Sequence, residues 1–107
     1  PLREPLLRLF EEEKIYLNPN LSLGDLALRL KSNTSVLSAL INQSFRKNFN
    51  DFVNEYRIEE FLKNSKTPAY SHLTLLAIAL DSGFNSKSTF NRAFKKLKGV
   101  SPRDYLG

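Results

Sequence analysis

The chain has 107 residues, 41% hydrophobic and 25% charged, and its 16 Lys and Arg against 11 Asp and Glu give a net charge of +5. This length suits one compact domain or two very small units that share a core, and the charge favours an anionic partner such as nucleic acid or an acidic membrane surface. The absence of Cys and the single His72 exclude disulfides, thiol chemistry and Cys-based zinc sites, and no apolar run approaches the roughly 20 residues of a membrane span.

The N-terminal part of the chain predicts two helices. Apolar residues at helical spacing predict a first helix over residues 1–17, which ends before a turn rich in Asn and Pro. Ser22 and Asp25 have the spacing of a capping box and predict a short second helix over residues 22–30. The acidic run Glu11–Glu13 would repel phosphate groups, so we expect the first helix to lie away from any nucleic acid.

Two further helices are predicted in the middle of the chain. Asn33 can cap a helix over residues 34–45. Asn48 and Asp51 again have capping-box spacing and predict a linker helix over residues 48–63. The linker residues that we expect to be solvated are Glu55, Glu59, Glu60 and Lys63. We expect Arg57 to be structural and to pair with a nearby acid.

The stretch from Thr74 to Lys98 predicts two helices joined by a tight turn. Thr74 is a good N-cap, Gly83 suits a turn with positive φ, and the second helix begins near Asn85 or Ser86. One face of that helix is apolar and the other is basic and polar, which is typical of a helix-turn-helix whose second helix fits a DNA major groove. The alternative is an amphipathic helical hairpin with a solvated basic face.

The second half of the chain repeats the first. An offset of 52 residues places Ser22 on Thr74, Ala27 on Ala79, Lys31 on Gly83 and Asn33 on Asn85. After one inserted residue, an offset of 53 places the following core positions and the next cap on their counterparts, Asn48 on Ser101 among them. A cap, a small residue, a turn and a second cap that recur in order indicate an internal duplication.

The predicted fold is therefore all-α, with two helix-turn-helix subdomains joined by a linker helix, homeodomain-like and with about seven helices. Residues 1–47 hold an N-terminal helix and the first helix-turn-helix, residues 48–63 the linker helix, and residues 64–107 the second helix-turn-helix and a C-terminal helix. A linker of roughly 15 residues spans over 20 Å. With the bodies of the two units added, one chain could reach two major grooves about 34 Å apart.

Several segments resemble the C-terminal DNA-binding domain of the AraC/XylS family of bacterial transcription regulators. The resemblance runs from about Leu21 to Tyr105, and its most specific parts are GFNSKSTFNRAFKK and GVSPRDY. It implies two helix-turn-helix units, each with a recognition helix in a major groove. The chain departs from the family pattern at Lys31 and Arg46, where Gly is usual, and at Ala39, where Arg is common. A Lys or Arg held at positive φ costs around 1 kcal/mol.

The resemblance also implies which residues face DNA. The base-facing residues would be Ser35, Ser38, Ala39 and Asn42 in the first unit, and Lys87, Ser88, Asn91 and Arg92 in the second. The residues predicted to contact phosphates are Lys95, Lys96, Arg46 and Lys47. Because a bidentate Arg–guanine contact is worth about 1–3 kcal/mol and the first unit lacks that Arg, we expect it to contribute less to sequence readout.

The leading functional hypothesis is sequence-specific binding of double-stranded DNA by the effector domain of a cytoplasmic transcription regulator. The alternative is a helical protein-interaction module whose basic face meets an acidic partner. No catalytic, metal or cofactor site is predicted, because no clustered carboxylates, nucleophile–base pair or phosphate-cradling Gly loop occurs. RNA polymerase is a candidate further partner, and no membrane contact by this domain is expected. The chain begins without Met, so we expect it to be part of a longer regulator, either free in the cytoplasm or anchored in a membrane. We expect that regulator to form a homodimer through a segment that is absent from this chain.

Overall fold

Seven α-helices form the structure, a computed structural model that describes residues 1–107. The helices are α1 (Arg3–Glu11), α2 (Leu23–Arg29), α3 (Thr34–Phe45), α4 (Phe49–Ser65), α5 (Leu75–Asp81), α6 (Lys87–Lys98) and α7 (Pro102–Leu106). Two 3-10 turns, Ile15–Leu17 and Pro68–Tyr70, complete the chain. The prediction of an all-α fold is confirmed. None of these helices combines the length and the apolar character that crossing a bilayer requires.

The predicted first helix over residues 1–17 is wrong in its extent. The helix ends at Glu11, and the chain turns at Lys14, whose φ of 52° is left-handed and cannot continue an α-helix. The turn directs Tyr16 into the core, where its ring lies 6.2 Å from that of Phe10. Burial of this aromatic side chain, which a continuous helix would not have allowed, sets the end of α1.

The capped helix starts agree closely with the predictions. Ser22 and Asp25 form the full capping box, with the Asp25 N–H donating to Ser22 Oγ at 3.0 Å and the Ser22 N–H to the Asp25 carboxylate at 3.2 Å. At the start of α4 only half of the predicted box exists. Asn48 accepts from the Asp51 N–H at 2.8 Å, but the Asp51 carboxylate accepts instead from Lys96 of α6. Helix α4 also continues to Ser65, beyond the predicted end at residue 63.

Two hydrophobic cores divide the molecule, and α4 supplies side chains to both. The first unit comprises α1 to α3 and the second unit α5 to α7. The first core takes Phe52 and Val53 from α4, and the second takes Ile58, Phe61 and Leu62. Because a single helix fills both cores, disrupting either unit exposes apolar surface of α4.

The internal duplication is visible in the backbone. Helices α3 and α6 each have 12 residues and follow side-chain caps at Asn33 and Ser86, which are 53 positions apart. The sequence alignment had placed Asn33 on Asn85, and this pairing is wrong by one residue. The inserted residue of the second unit lies between the turn and the cap, where Gly83 is followed by two residues before Ser86 and Lys31 by only one before Asn33.

The turns of the first unit keep the left-handed backbone without glycine. Lys31 has a φ of 54° where Gly83 has 108°, and Arg46 has a φ of 60° where Gly99 has 83°. A left-handed conformation costs a residue with a side chain about 1 kcal/mol. The fold therefore imposes this geometry on the first unit at a small cost in stability.

Arg57 of α4 binds two backbone carbonyls of the first unit rather than the acid that the sequence led us to expect. Its Nε donates to the Tyr16 carbonyl at 2.7 Å and its terminal nitrogen to the Asn18 carbonyl at 2.9 Å. The residue is only 8% exposed, and burial lowers the pKa of its guanidinium. Gly83 of the second unit packs against the same Tyr16 carbonyl. We call this cluster of Arg57, Tyr16, Asn18 and Gly83 the Arg57 junction.

Glu60 also contacts the junction, through the side chains of Lys14 and Tyr16. The prediction that Glu60 is solvated is wrong. Its side chain is 13% exposed and accepts hydrogen bonds from Lys14 Nζ at 3.3 Å and from the Tyr16 hydroxyl at 3.2 Å. The backbone and side chain of Tyr16 are thus both bound to α4. This pair of contacts fixes the segment between α1 and α2 against the linker helix.

We expect Gly83→Ala to destabilise the protein by about 3 kcal/mol, the sum of backbone strain and overpacking. A Cβ at Gly83 would lie 2.2 Å from the Tyr16 carbonyl oxygen and 2.8 Å from Arg57 Nε, whereas a Cβ at Gly99 would meet nothing within 4 Å. Gly99→Ala is the matched control, since it carries only the positive-φ cost of about 1 kcal/mol. Denaturant unfolding of both variants measures the difference, and equal losses would contradict the close packing at Gly83.

We expect stability to fall above about pH 10, the ordinary pKa of tyrosine. Burial, with the Glu60 carboxylate nearby, raises the pKa of Tyr16, and burial with a hydrogen bond to Glu11 raises the pKa of Tyr56 to about 12. The two tyrosines therefore lose their protons at a lower pH in the unfolded chain than in the folded chain. Their contribution to the free energy of unfolding is complete below the unfolded-state pKa, and it is lost as pH rises through the folded-state pKa. Tyr16→Phe should make the alkaline loss shallower in denaturant unfolding across this range, and unchanged slopes would count against it.

Candidate nucleic-acid interface

Helix α3 presents the residues predicted to face bases in the first unit. Ser35, Ala39 and Asn42 are exposed and Ser38 is half-buried, while Leu37 of the same helix is fully buried. All four predicted residues line one shallow groove, together with Leu23 and Thr34. The N-cap bond from the Val36 N–H to Asn33 Oδ1 at 2.9 Å fixes where α3 starts, and so which side chains reach this groove.

Helix α6 presents the equivalent residues of the second unit. Lys87, Ser88, Asn91 and Arg92 are all exposed. Lys87 and Asn91 line a groove of about 570 Å³ that also takes side chains from the start of α5 and of α7. Ser88 and Arg92 do not line it; one helical turn apart, they form the neighbouring strip of the helix surface.

The two grooves are related by the internal duplication. The lining residues Leu23, Thr34, Ser38 and Asn42 of the first unit correspond to Leu75, Lys87, Asn91 and Lys95 of the second. Helix α3, TSVLSALINQSF, contains no charged residue, whereas α6 carries Lys87, Arg92, Lys95, Lys96 and Lys98. The same backbone surface is therefore neutral in one unit and strongly basic in the other.

Polar groups on α3 keep hydrogen-bonding capacity for a ligand. Asn42 Nδ2 donates to the Ser38 carbonyl at 3.1 Å, which uses one of its two amide protons and holds the side chain along the helix. The amide oxygen and the second proton are left for an external partner. A primary amide with one acceptor and one donor free can recognise the edge of adenine.

The predicted phosphate-binding residues differ in their intramolecular partners. Lys47 forms an ion pair with Glu55, and Lys96 pairs with Asp51 at 3.0 Å. Arg46 and Lys95 are exposed and have no carboxylate within 4.0 Å. The structure thus divides the four residues into two that already have a counter-charge and two that do not.

The carboxylates that hold these lysines lie along one face of α4, which sequence reasoning had not identified as a unit. Asp51, Glu55 and Glu59 are four residues apart and pair with Lys96, Lys47 and Lys98 respectively. Their i, i+4, i+8 spacing was the available signal. It was missed because the basic partners lie on α6 or before the helix and become neighbours only in the folded chain.

Comparison with known proteins identifies relatives. A family described as a helix-turn-helix domain matches residues 26–107. Over 94 residues, 88% of the chain, the sequence is 33% identical to an uncharacterised HTH-type transcriptional regulator of Staphylococcus aureus strain COL. The chain spans only 12% of the length of that regulator.

Solved structures share the fold. The C-terminal domain of the two-component response regulator yesN from Fusobacterium nucleatum aligns with a TM-score of 0.81 at 24% identity, covering 99% of this chain and 98% of that one. The C-terminal domain of AraT, a response regulator from Geobacillus stearothermophilus, aligns with a TM-score of 0.71 at 26% identity, covering 94% and 83%. The complete two-unit arrangement, with its linker helix, therefore recurs in other bacterial domains.

Lys95 and its neighbour Lys96 provide a matched test of the ion-pair pattern. We expect Lys95→Ala to reduce the slope of log affinity for duplex DNA against log salt by about 0.9, the value for one phosphate contact. We expect Lys96→Ala to reduce it less, because Lys96 already has Asp51 as a counter-charge. Fluorescence anisotropy at a series of salt concentrations measures both slopes, and equal reductions would show that the Asp51 pair has no effect on binding.

Proposed function

The chain belongs to the AraC-type helix-turn-helix family, a family of DNA-binding domains of transcription regulators and not of enzymes, and from this we propose how it acts. It binds double-stranded DNA sequence-specifically, with α3 and α6 in successive major grooves, as the effector domain of a bacterial transcription regulator. The observation that carries the proposal is the pair of equivalent, capped and outward-facing helices on one body. The alternative, a protein-interaction module with a basic face, becomes an outcome of the test.

The dimensions of the molecule support binding by a single chain. Its longest dimension is 41 Å, and equivalent major-groove faces one helical turn apart are separated by about 34 Å. A single domain of this size with two recognition helices can therefore span both grooves without a second copy.

The charge difference between the units supports a division of roles. Helix α6, with its basic outer face, supplies electrostatic attraction to the phosphates and places Arg92 for a bidentate contact with guanine. Helix α3 has only hydroxyl, amide and methyl groups at Ser35, Ser38, Asn42 and Ala39, which suit adenine and thymine edges. The second unit thus provides most of the affinity and the stronger sequence discrimination.

The proposal extends to a longer regulator of which this chain is one part. Because the chain spans 12% of the relative from Staphylococcus aureus, sensing and dimerisation are assigned in this proposal to the remainder of such a protein. The cytoplasm, where bacterial DNA is accessible, is the compartment in which the domain acts, with RNA polymerase as the further partner of the bound complex. In this proposal the DNA contact itself requires neither a second subunit nor RNA polymerase.

Selection of duplexes from a randomised pool tests the function directly. We expect the wild-type chain to enrich a two-part site with its parts about one helical turn apart. Arg92→Ala should relax one position of one part, at a cost of about 1–3 kcal/mol for the preferred base. Lys66→Ala, which removes an exposed charge at the C-terminal end of α4, is the control and should leave the selected site unchanged.

Two results would argue against this function, and a third would change the role of Arg92. Binding without enrichment of any sequence, together with a steep loss of affinity in salt, would indicate non-specific contact with phosphates. No binding at low salt would favour the protein-interaction module. Enrichment of a site that Arg92→Ala leaves unchanged would remove Arg92 from base readout and assign it to the phosphates.

A further inference from the structure

We infer that the Arg57 junction sets the spacing and rotational phase between the two half-sites, so that Arg57 is a positioning residue for DNA specificity although it faces no DNA. The inference rests on the proposed function. It is carried by the contact of both units with a single buried guanidinium and with the carbonyl of Tyr16.

The junction brings together three parts of the fold. Tyr16 is part of the first core, where its ring lies 6.2 Å from that of Phe10. Gly83 forms the turn between α5 and α6 and precedes Phe84 of the second core. Arg57 lies on α4 between Val53 of the first core and Ile58 of the second. The junction is therefore a direct contact between the units, in addition to the covalent link through α4.

The contact leaves little room for movement. The position that a Cβ would take at Gly83 lies 2.2 Å from the Tyr16 carbonyl oxygen and 3.2 Å from Arg57 Cγ. The Arg57 guanidinium also lies over the ring of Phe84, 6.0 Å from its centroid. Because Glu60 also accepts a hydrogen bond from the Tyr16 hydroxyl, the turn before α6 packs against a residue whose backbone and side chain are both bound to α4.

A small rotation at the junction would shift a recognition helix by a full base-pair step at the DNA. Over a lever arm of about 17 Å, half of the roughly 34 Å between groove faces, a rotation of about 10° moves a recognition helix by about 3 Å, close to one base-pair step. The turn at Gly83 leads directly into α6, so the orientation of this helix follows the position of the junction. Loss of the Arg57 hydrogen bonds should therefore broaden the range of half-site spacings that the chain accepts.

Spacing-resolved selection is the test of specificity. The pool holds the two half-sites of the wild-type consensus fixed and varies the number of base pairs between them. We expect the wild type to enrich one spacing and Arg57→Met to accept neighbouring spacings with less than a threefold preference. Arg57→Lys retains the charge and can reach one carbonyl, so it should give an intermediate preference.

A distance measurement tests the mechanical step without DNA. The chain has no Cys, so nitroxide labels at Leu28→Cys and Leu80→Cys report a single distance by electron–electron double resonance. Both side chains are exposed and lie at positions 52 apart in the two units. We expect a narrow distribution in the wild-type background and a broader or shifted one in Arg57→Met.

A control separates positioning from loss of stability. Leu62→Ala removes a buried side chain of the second core that is not a member of the junction, and it should lower stability while the preferred spacing is kept. If Arg57→Met does not fold, Arg57→Lys carries the test, with the same expected direction.

Two outcomes would overturn the inference in distinguishable ways. Arg57 variants that keep both the wild-type spacing and the narrow distance distribution would overturn the positioning role alone. A wild-type chain that enriches no two-part site would overturn the proposed function together with it.

Discussion

The bond between the Arg57 guanidinium and the Tyr16 carbonyl is the interaction on which the arrangement of the two units depends. A buried cation is costly unless it is hydrogen-bonded, and here Nε and one terminal nitrogen donate to two backbone carbonyls while no carboxylate accepts from the guanidinium. Neutral acceptors leave the junction with a net positive charge, which burial makes less favourable, as the lowered pKa of Arg57 shows. Gly83 and the Phe84 ring pack closely against Arg57, and this packing offsets part of the cost of burying its charge.

The duplicated units show how one backbone can carry two different surfaces. The helix lengths, the caps and the left-handed turns recur, even where Lys31 and Arg46 replace glycine. These features determine where α3 and α6 point. The outer faces are free of that constraint, because exposed side chains contribute little to stability, and there the units differ most, with a neutral α3 and a basic α6.

The acidic face of α4 links folding to the electrostatics of the interface. It pairs with Lys47 near the end of α3 and with Lys96 and Lys98 at the end of α6. Such surface pairs contribute at most about 1 kcal/mol each, so a lysine can exchange a carboxylate for a phosphate at little cost. These lysines are therefore partly neutralised in the free chain, and in the proposed DNA complex they can bind phosphates instead.

The sequence by itself determined the capped helix starts, the duplication and the outward position of the proposed base-facing residues. Each follows from contacts within about four residues, such as the Asn33 and Ser86 caps, or from helical periodicity. Which bases those residues contact stays a prediction. Only the tertiary structure decided the end of α1, the burial of Glu60 and the partner of Arg57. The reason is distance along the chain, since Arg57 and Tyr16 are 41 residues apart and no local pattern specifies which carbonyl a buried guanidinium will meet.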